Sequence, residues 1–236
     1  MCSPACIDFV ARALTGNEVA GKRVIEIGSR NVNGSARRVI ESMHPAEYVG
    51  VDIEAAPEVD VICDIEKLCE KFDDESFDLV VTTEVLEHVR DWRLAVSNLK
   101  RVCRPGGVVI VTTRSYGFVY HGYPFDYWRY ELSDMRSLFG DCAVEALETD
   151  TRDAGVFMKA RKPLTFQERH LGGHSLYSIV LDKRAKNVSD EDIRPGRLFR
   201  VRLRERIRSA LRSLKRTFVS SARREYREAI GRWGRI

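Results

Sequence analysis

At 236 residues, 44% apolar and 31% charged with a formal net charge of +4, the chain has the make-up of a globular protein with one good core and an appendage. No run approaches the roughly 18 uninterrupted apolar residues of a membrane span, and Met1-Cys-Ser-Pro-Ala-Cys6 lacks the basic and apolar regions of a secretory signal, so a cytoplasmic protein is expected. The six cysteines form no C-x-x-C pair and have no histidines at zinc spacing, so reduced thiols and no metal are expected. Charge is divided unevenly. Residues 194–236 hold 15 Lys or Arg against three acids, Glu205, Glu225 and Glu228, and this +12 within a total of +4 leaves −8 on residues 1–193. The turn chemistry of Ser189-Asp-Glu-Asp192 and Arg194-Pro-Gly196 marks a boundary, which predicts a domain over 1–193 and a basic tail over 194–236.

In chain order, Arg23-Val-Ile-Glu-Ile-Gly28 reads as a short β-branched strand buried on both faces, ending where glycine lets the chain turn tightly beside a ligand. A loop through Gly34, a helix near 35–43 and a second strand over 48–52 follow. Asp52, at the carboxyl end of that strand, can accept hydrogen bonds from both hydroxyls of a ribose, as an acid about 20 residues beyond the glycine turn does in dinucleotide folds. The loop Gly28-Ser-Arg-Asn-Val-Asn-Gly34 lacks two of the three glycines of G-x-G-x-x-G, so a pyrophosphate is a poor fit. Glu26, a carboxylate just before the turn, suits a cofactor with positive charge instead. Further strands are predicted at 59–62, 78–83 and 108–113, helices near 91–103 and 133–139, and an antiparallel pair at 143–149 and 155–160. The alternation of strand and helix implies a mainly parallel sheet with helices on both faces.

Val24-Ile-Glu-Ile-Gly28, Tyr48-Val-Gly-Val-Asp52, Cys63-Asp-Ile65, Phe77-Asp-Leu-Val-Val-Thr-Thr-Glu-Val-Leu-Glu-His88 and Arg104-Pro-Gly-Gly107 stand in the order of one family's motifs and, with the strands after them, cover residues 22–160. On these pieces the chain resembles the class I S-adenosylmethionine-dependent methyltransferases, type 11-like. The resemblance implies an α/β, Rossmann-like, mainly parallel seven-stranded sheet with a C-terminal antiparallel hairpin. It also implies S-adenosylmethionine as cofactor, with Glu26, Gly28, Gly34, Asp52, Asp64 and Glu84 around it and the Cys63-Asp-Ile65 segment against the adenine. A sulfonium methyl is already electrophilic, so transfer needs an aligned nucleophile, and a base when that nucleophile is a hydroxyl.

Acceptor-side candidates follow the fourth and fifth strands, where ligands collect in open parallel sheets. His88 ends the first of these segments. His121 opens the second, His121-Gly-Tyr-Pro-Phe-Asp-Tyr-Trp-Arg-Tyr130, and is the expected base. Arg129 can clamp a carboxylate or phosphate bidentately, and Tyr123, Tyr127, Trp128 and Tyr130 can stack on a sugar or form an apolar lid. The alternative is that the aromatics are packed core and that Asp126 and Arg129 form a structural ion pair. His170-Leu-Gly-Gly-His174 is a third candidate, a glycine-rich loop able to fold over substrate. The second segment resembles the insertion of a subgroup associated with glycan and lipid pathways. It implies O-methylation of a sugar or hexuronic acid of a lipid-linked glycan in a glycosylation pathway. The alternatives are a small lipid or quinone-like metabolite, or an RNA-binding methyltransferase-like protein.

In the tail, Leu203, Ile207, Ala210, Leu214, Phe218 and Ala222 recur at helical steps, and Tyr226, Ile230 and Trp233 extend the stripe between arginines. A basic amphipathic helix over 197–233 suits an anionic membrane surface and would make the protein peripheral on the inner face of the cell membrane. Nucleic acid is the weaker alternative, since phosphate neutralisation needs only clustered charge.

Overall fold

The least polar strands take the middle of the sheet. β1 (Arg23–Ile27) is buried at four of five positions, and the strand over Phe77–Thr83 at all seven, the pattern of strands covered on both faces. The computed structural model describes residues 3–122 and 124–211. With β2 (Glu47–Asp52), β3 (Val61–Ile62), β4 (Phe77–Thr83), β5 (Cys103–Arg114), β7 (Ala143–Thr149) and β8 (Gly155–Arg161), a seven-stranded sheet forms in the order β3-β2-β1-β4-β5-β8-β7, and β6 (Trp128–Arg129) stands outside it. β1 to β5 run parallel, and β8 is antiparallel to both β5 and β7, which is the expected closing hairpin.

Some bounds differ from those the sequence suggests. β5 begins at Cys103, five residues before the predicted 108, because Phe77 pairs Cys103 and Leu79 pairs Val108 around the looped-out Arg104-Pro-Gly-Gly107. That loop packs against the strand: a Cβ on Gly107 would lie 2.8 Å from both the Arg104 carbonyl and Cys103 Sγ. β3 shrinks to Val61–Ile62. A second sheet, β6 with β9 (Leu176–Ser178) and β10 (Lys183–Ala185), is antiparallel and was not evident from strands only two or three residues long.

The helices cover the sheet. α1 (Pro4–Ala13) starts at Ser3, whose side chain accepts from the Cys6 amide, with Pro4 in the first turn. Its Phe9 and Val10 share one apolar cluster with Val24, Leu79, Ile110 and Phe157, and the Phe9 and Phe157 rings are 5.3 Å apart. α2 (Gly16–Val19), α3 (Arg37–Glu41) and α4 (Leu68–Lys71) are short. α5 (Trp92–Val102) is capped by the Asp91 side chain accepting from the Leu94 amide, and it buries Trp92, Ala95, Val96 and Leu99 at helical steps. α6 (Leu132–Leu138) opens with a Glu131/Asp134 capping box.

The chain divides into two compact units, Met1–Ser189 and Asp190–Ile236. In the second, a helix runs over 195–211, with Arg197 paired to Asp192 and Arg208 to Glu205. Phe199, Leu203, Ile207 and Leu211 recur on it every fourth residue and are all exposed. The rest of the predicted stripe, from Leu214 to Trp233, lies outside the described residues, as does Tyr123. Among the described residues no helix is long and apolar enough to cross a membrane. The five described cysteines are free.

Candidate active site

The chain lays down β1, β2 and β3 toward one edge and then returns to place β4 on the other side of β1. Parallel strands leave a crevice at their carboxyl ends where such a reversal occurs. Here it is a cavity of about 480 Å³ whose wall includes Gly28 after β1, Asp52 at the end of β2 and Glu84 and Val85 after β4.

Gly28 adopts φ 82° and its amide donates to the Val51 carbonyl at 2.8 Å. A Cβ at this position would come within 2.1 Å of Val85 Cγ2, so only glycine lets the exits of β1 and β4 approach this closely. Asp52 accepts from the Arg30 amide at 3.2 Å through Oδ2 and from the Glu54 amide at 3.3 Å through Oδ1, which orients the carboxylate on the cavity wall. Asp64 lines the same wall, and its Oδ1 accepts from the Glu66 amide at 3.0 Å. Val32 and Ile53 border the cavity with 50% and 51% of their surface exposed, apolar surface suited to covering a flat ring.

Glu84 adopts φ 57°, a left-handed conformation costly for a residue with a side chain. Its amide donates to the Thr112 carbonyl at 2.8 Å and its Oε2 pairs with Arg114. Oε1 is buried with no hydrogen-bond partner among the described residues. Burial pushes this carboxyl upward against the pull of Arg114. An unmatched buried carboxyl oxygen, half-exposed apolar side chains and the Asp52 carboxylate lining one cavity fit a nucleoside.

Two expected cofactor residues stand elsewhere. Glu26 is 1% exposed, accepts from the Tyr48 hydroxyl at 2.6 Å and is absent from the wall; burial pushes its carboxyl up to about 7. As a residue in the middle of a buried strand it projects into the layer beside the sheet and not past the strand end. Gly34, at φ 134°, donates to Asn31 Oδ1 at 3.2 Å and shapes the loop without reaching the cavity.

The lining contributed after β4 and by residues 124–127 is largely apolar, with Val85, Val89, Pro124, Phe125 and Tyr127, and His88 and Arg90 are set among them. His88 Nδ1 lies 2.6 Å from the Phe125 carbonyl, which fixes the ring and leaves Nε2 as the other nitrogen. Behind it is a buried charged network. Glu87 is fully buried, and its Oε2 accepts from Thr113 Oγ1 at 2.8 Å. His121 Nδ1 sits 2.9 Å from Asp126 Oδ2, and Arg129 donates to the same carboxylate at 2.5 and 2.7 Å. Burial raises the Glu87 carboxyl, but the imidazoles of His121 and His88 outweigh it and hold it at about 2. Burial also works against charge on His121, and Asp126 and Glu87 outweigh it, lifting the imidazole to about 9.

These facts correct two acceptor-side expectations. Arg129 is 1% exposed, and beyond Asp126 its guanidinium donates to the carbonyls of Phe118, Val119 and Trp128, so it clamps its own loop and not a substrate. His121 holds its proton through neutral pH and lies behind the wall, so it is no ready base; His88 is the histidine that reaches the cavity. The aromatic group also divides. Tyr127 lines the cavity, while Trp128 donates to the Val89 carbonyl at 3.0 Å and Tyr130 to the Leu86 carbonyl at 3.1 Å from within the core. His174 binds Asp134 at 3.1 Å and, like His170, is not on the cavity wall. Pro124 and Phe125 were missed, since nothing in an isolated Pro-Phe pair marks it as cavity lining.

Residues 25–111 match the family model for a methyltransferase domain. Over 115 residues the chain is 33% identical to the phthiotriol/phenolphthiotriol dimycocerosates methyltransferase of Mycobacterium tuberculosis, covering 44% of this chain and 42% of that one. Over 128 residues it is 34% identical to the ubiquinone biosynthesis O-methyltransferase of Alkalilimnicola ehrlichii, covering 47% and 48%. The match therefore spans less than half the length of these curated relatives. Among solved structures, an S-adenosylmethionine dependent methyltransferase from Mesorhizobium loti superposes with a TM-score of 0.53 at 17% identity, over 68% of this chain and 99% of that one. The 1,6-didemethyltoxoflavin-N1-methyltransferase of Burkholderia thailandensis, solved with S-adenosylhomocysteine, gives 0.55 at 15%, over 68% and 79%. At such identities the likeness is one of fold.

Proposed function

We propose, from the premise that this chain belongs to the class I S-adenosylmethionine-dependent methyltransferases, that it methylates an oxygen of an apolar acceptor, a small lipid or a quinone-like precursor. The observation that carries the reading is the two-sided cavity, with Gly28, Asp52 and Asp64 on one wall and His88 among apolar side chains on the other. S-adenosylmethionine, when bound, supplies an electrophilic methyl group. Asp52 receives the ribose hydroxyls, Val32 and Ile53 cover the base, and Glu84 Oε1 gains the partner it lacks. The apolar wall of Val85, Val89 and Phe125 excludes water and holds the acceptor, while His88 supplies the polar group that receives the acceptor oxygen.

The nature of the acceptor rests on three supports. The wall is apolar; the two curated relatives are named for a dimycocerosate lipid and for ubiquinone biosynthesis; and the guanidinium that favoured a sugar acid is engaged internally. A glycan acceptor therefore has no remaining support in the site. The exposed apolar stripe of the 195–211 helix, set among arginines, suits an anionic membrane, where an apolar acceptor would concentrate. Incubation with methyl-labelled S-adenosylmethionine and fractionated cell extract tests the acceptor. Label is expected in the organic-solvent fraction; label confined to RNA or to polar glycans would overturn the reading.

A further inference from the structure

We infer that Glu87, His88 and His121 form a binding site for one divalent transition-metal cation, of the zinc type, at the acceptor side of the cavity. The inference deepens the methyltransferase reading and rests on it only for the role of the cation, not for its binding. The geometry points to this in three ways.

The first is convergence. Glu87 Oε1 is 4.0 Å from His88 Nε2 and 3.8 Å from His121 Nε2, too far for hydrogen bonds, and the three ligand atoms all lie within 4.8 Å of one another. Bonds of about 2.0–2.2 Å to a common cation require them to close by only about half an ångström to one ångström. The second is second-sphere support. His88 Nδ1 contacts the Phe125 carbonyl at 2.6 Å and His121 Nδ1 contacts Asp126 at 2.9 Å, so each ring is oriented through one nitrogen with the other turned toward Glu87. Carbonyl and carboxylate partners of this kind accompany metal-ligating histidines. Glu87 is treated alike: Oε2 takes the Thr113 hydroxyl, while Oε1 is buried without a hydrogen-bond partner among the described residues.

The third is charge. Glu87 and Asp126 bring two carboxylates into a buried site that contains one guanidinium, Arg129. One negative charge is left over for a bound cation to balance. A divalent cation with neutral histidines would reverse the balance to one positive charge, and an anionic acceptor oxygen would then match it. Two histidines and one carboxylate leave coordination positions open, and His88 also lines the cavity. A cation there lowers the pKa of an oxygen bound to it, the help a neutral hydroxyl acceptor needs.

The test uses the full chain. Protein stripped with chelator is titrated with Zn²⁺ against a chromophoric competitor, and S-adenosylhomocysteine binding is measured in parallel. One equivalent of tight binding is expected, with at least a tenfold loss of affinity in His121→Ala and in His88→Gln, and about 10–100-fold in Asp126→Asn. Since variants of a buried network can fail to fold, the wild type carries a second reading: histidine ¹⁵N spectra at one equivalent of Zn²⁺ should show two imidazoles coordinating through Nε2. Failure of the wild type to bind Zn²⁺, coordination of no histidine, or folded His121→Ala and His88→Gln proteins with wild-type affinity would each overturn the site. S-adenosylhomocysteine binding without metal binding removes this inference alone, whereas metal binding without S-adenosylhomocysteine binding removes the methyltransferase reading and leaves the site standing.

Discussion

The two walls of the cavity are built on opposite physical plans. On the cofactor side, Asp52 is held by the backbone amides of Arg30 and Glu54 and Asp64 by that of Glu66, and apolar side chains stand half exposed at the edge. On the acceptor side Asp126, Arg129 and His121 are paired with one another away from the cavity, which His88 and largely apolar side chains line. In the proposed reading the first wall would meet its ligand directly, through carboxylates that line the cavity. The second is a scaffold of paired buried charges whose loss is felt by the fold first. Substitutions in the two walls should therefore separate binding from stability.

Removing Arg129 should have the largest effect. Arg129→Ala leaves Asp126 buried without its guanidinium, which costs about 3–5 kcal/mol of stability and lowers the thermal unfolding midpoint by a correspondingly large amount. A melt within a few degrees of wild type would mean that Arg129 is not the internal clamp described above. Next comes Asp52→Ala, expected to weaken S-adenosylhomocysteine binding by about 1.5–3 kcal/mol at an almost unchanged unfolding midpoint. Equal losses of stability in these two variants would erase the distinction between the walls.

Glu26 sharpens the comparison, because it lies behind the cofactor wall. Its folded pKa of about 7 stands above the ordinary value of 4.5, so its stabilising contribution is complete below 4.5 and is lost as pH rises through about 7. Glu26→Gln keeps an acceptor for Tyr48 and should remove that loss. Relative to wild type, the variant gains up to about 3 kcal/mol in urea unfolding between pH 4 and pH 8. Parallel pH profiles for the two proteins would show that Glu26 titrates normally. The smallest effects belong to the tail. Arg200→Glu and Arg206→Glu should each weaken sedimentation with anionic vesicles by about 1 kcal/mol or more, in a salt-sensitive way. Indifference of the wild type to such vesicles at low salt would detach the tail from the membrane.

The cofactor wall was legible because its parts are local. Gly28 and Asp52 end strands whose apolar β-branched sequences announce them, and a strand end fixes where the next side chain points. Glu26 misled for the same reason: it stands inside the strand, where its carboxylate turns to Tyr48 in the layer beside the sheet and away from the crevice. The acceptor wall was not legible because its meaning lies in pairings. Arg129 looks like a substrate clamp until Asp126, three residues earlier, proves to be its partner, and His121 looks like a base until two buried carboxylates surround it. Glu87 drew no attention as one acid among several in Glu84-Val-Leu-Glu-His88. Nor did the sequence reveal the second sheet, since strands of two or three residues have no period to read.

Calorimetric titration of the full-length protein with S-adenosylhomocysteine tests the central claim most directly, because it asks whether the cavity after β1, β2 and β4 is a nucleoside site before any acceptor is known. The account predicts saturable binding at one site per chain, abolished or strongly weakened in folded Asp52→Ala. A folded wild-type protein that takes up no S-adenosylhomocysteine, or an Asp52→Ala protein that binds it as tightly as wild type, would contradict it.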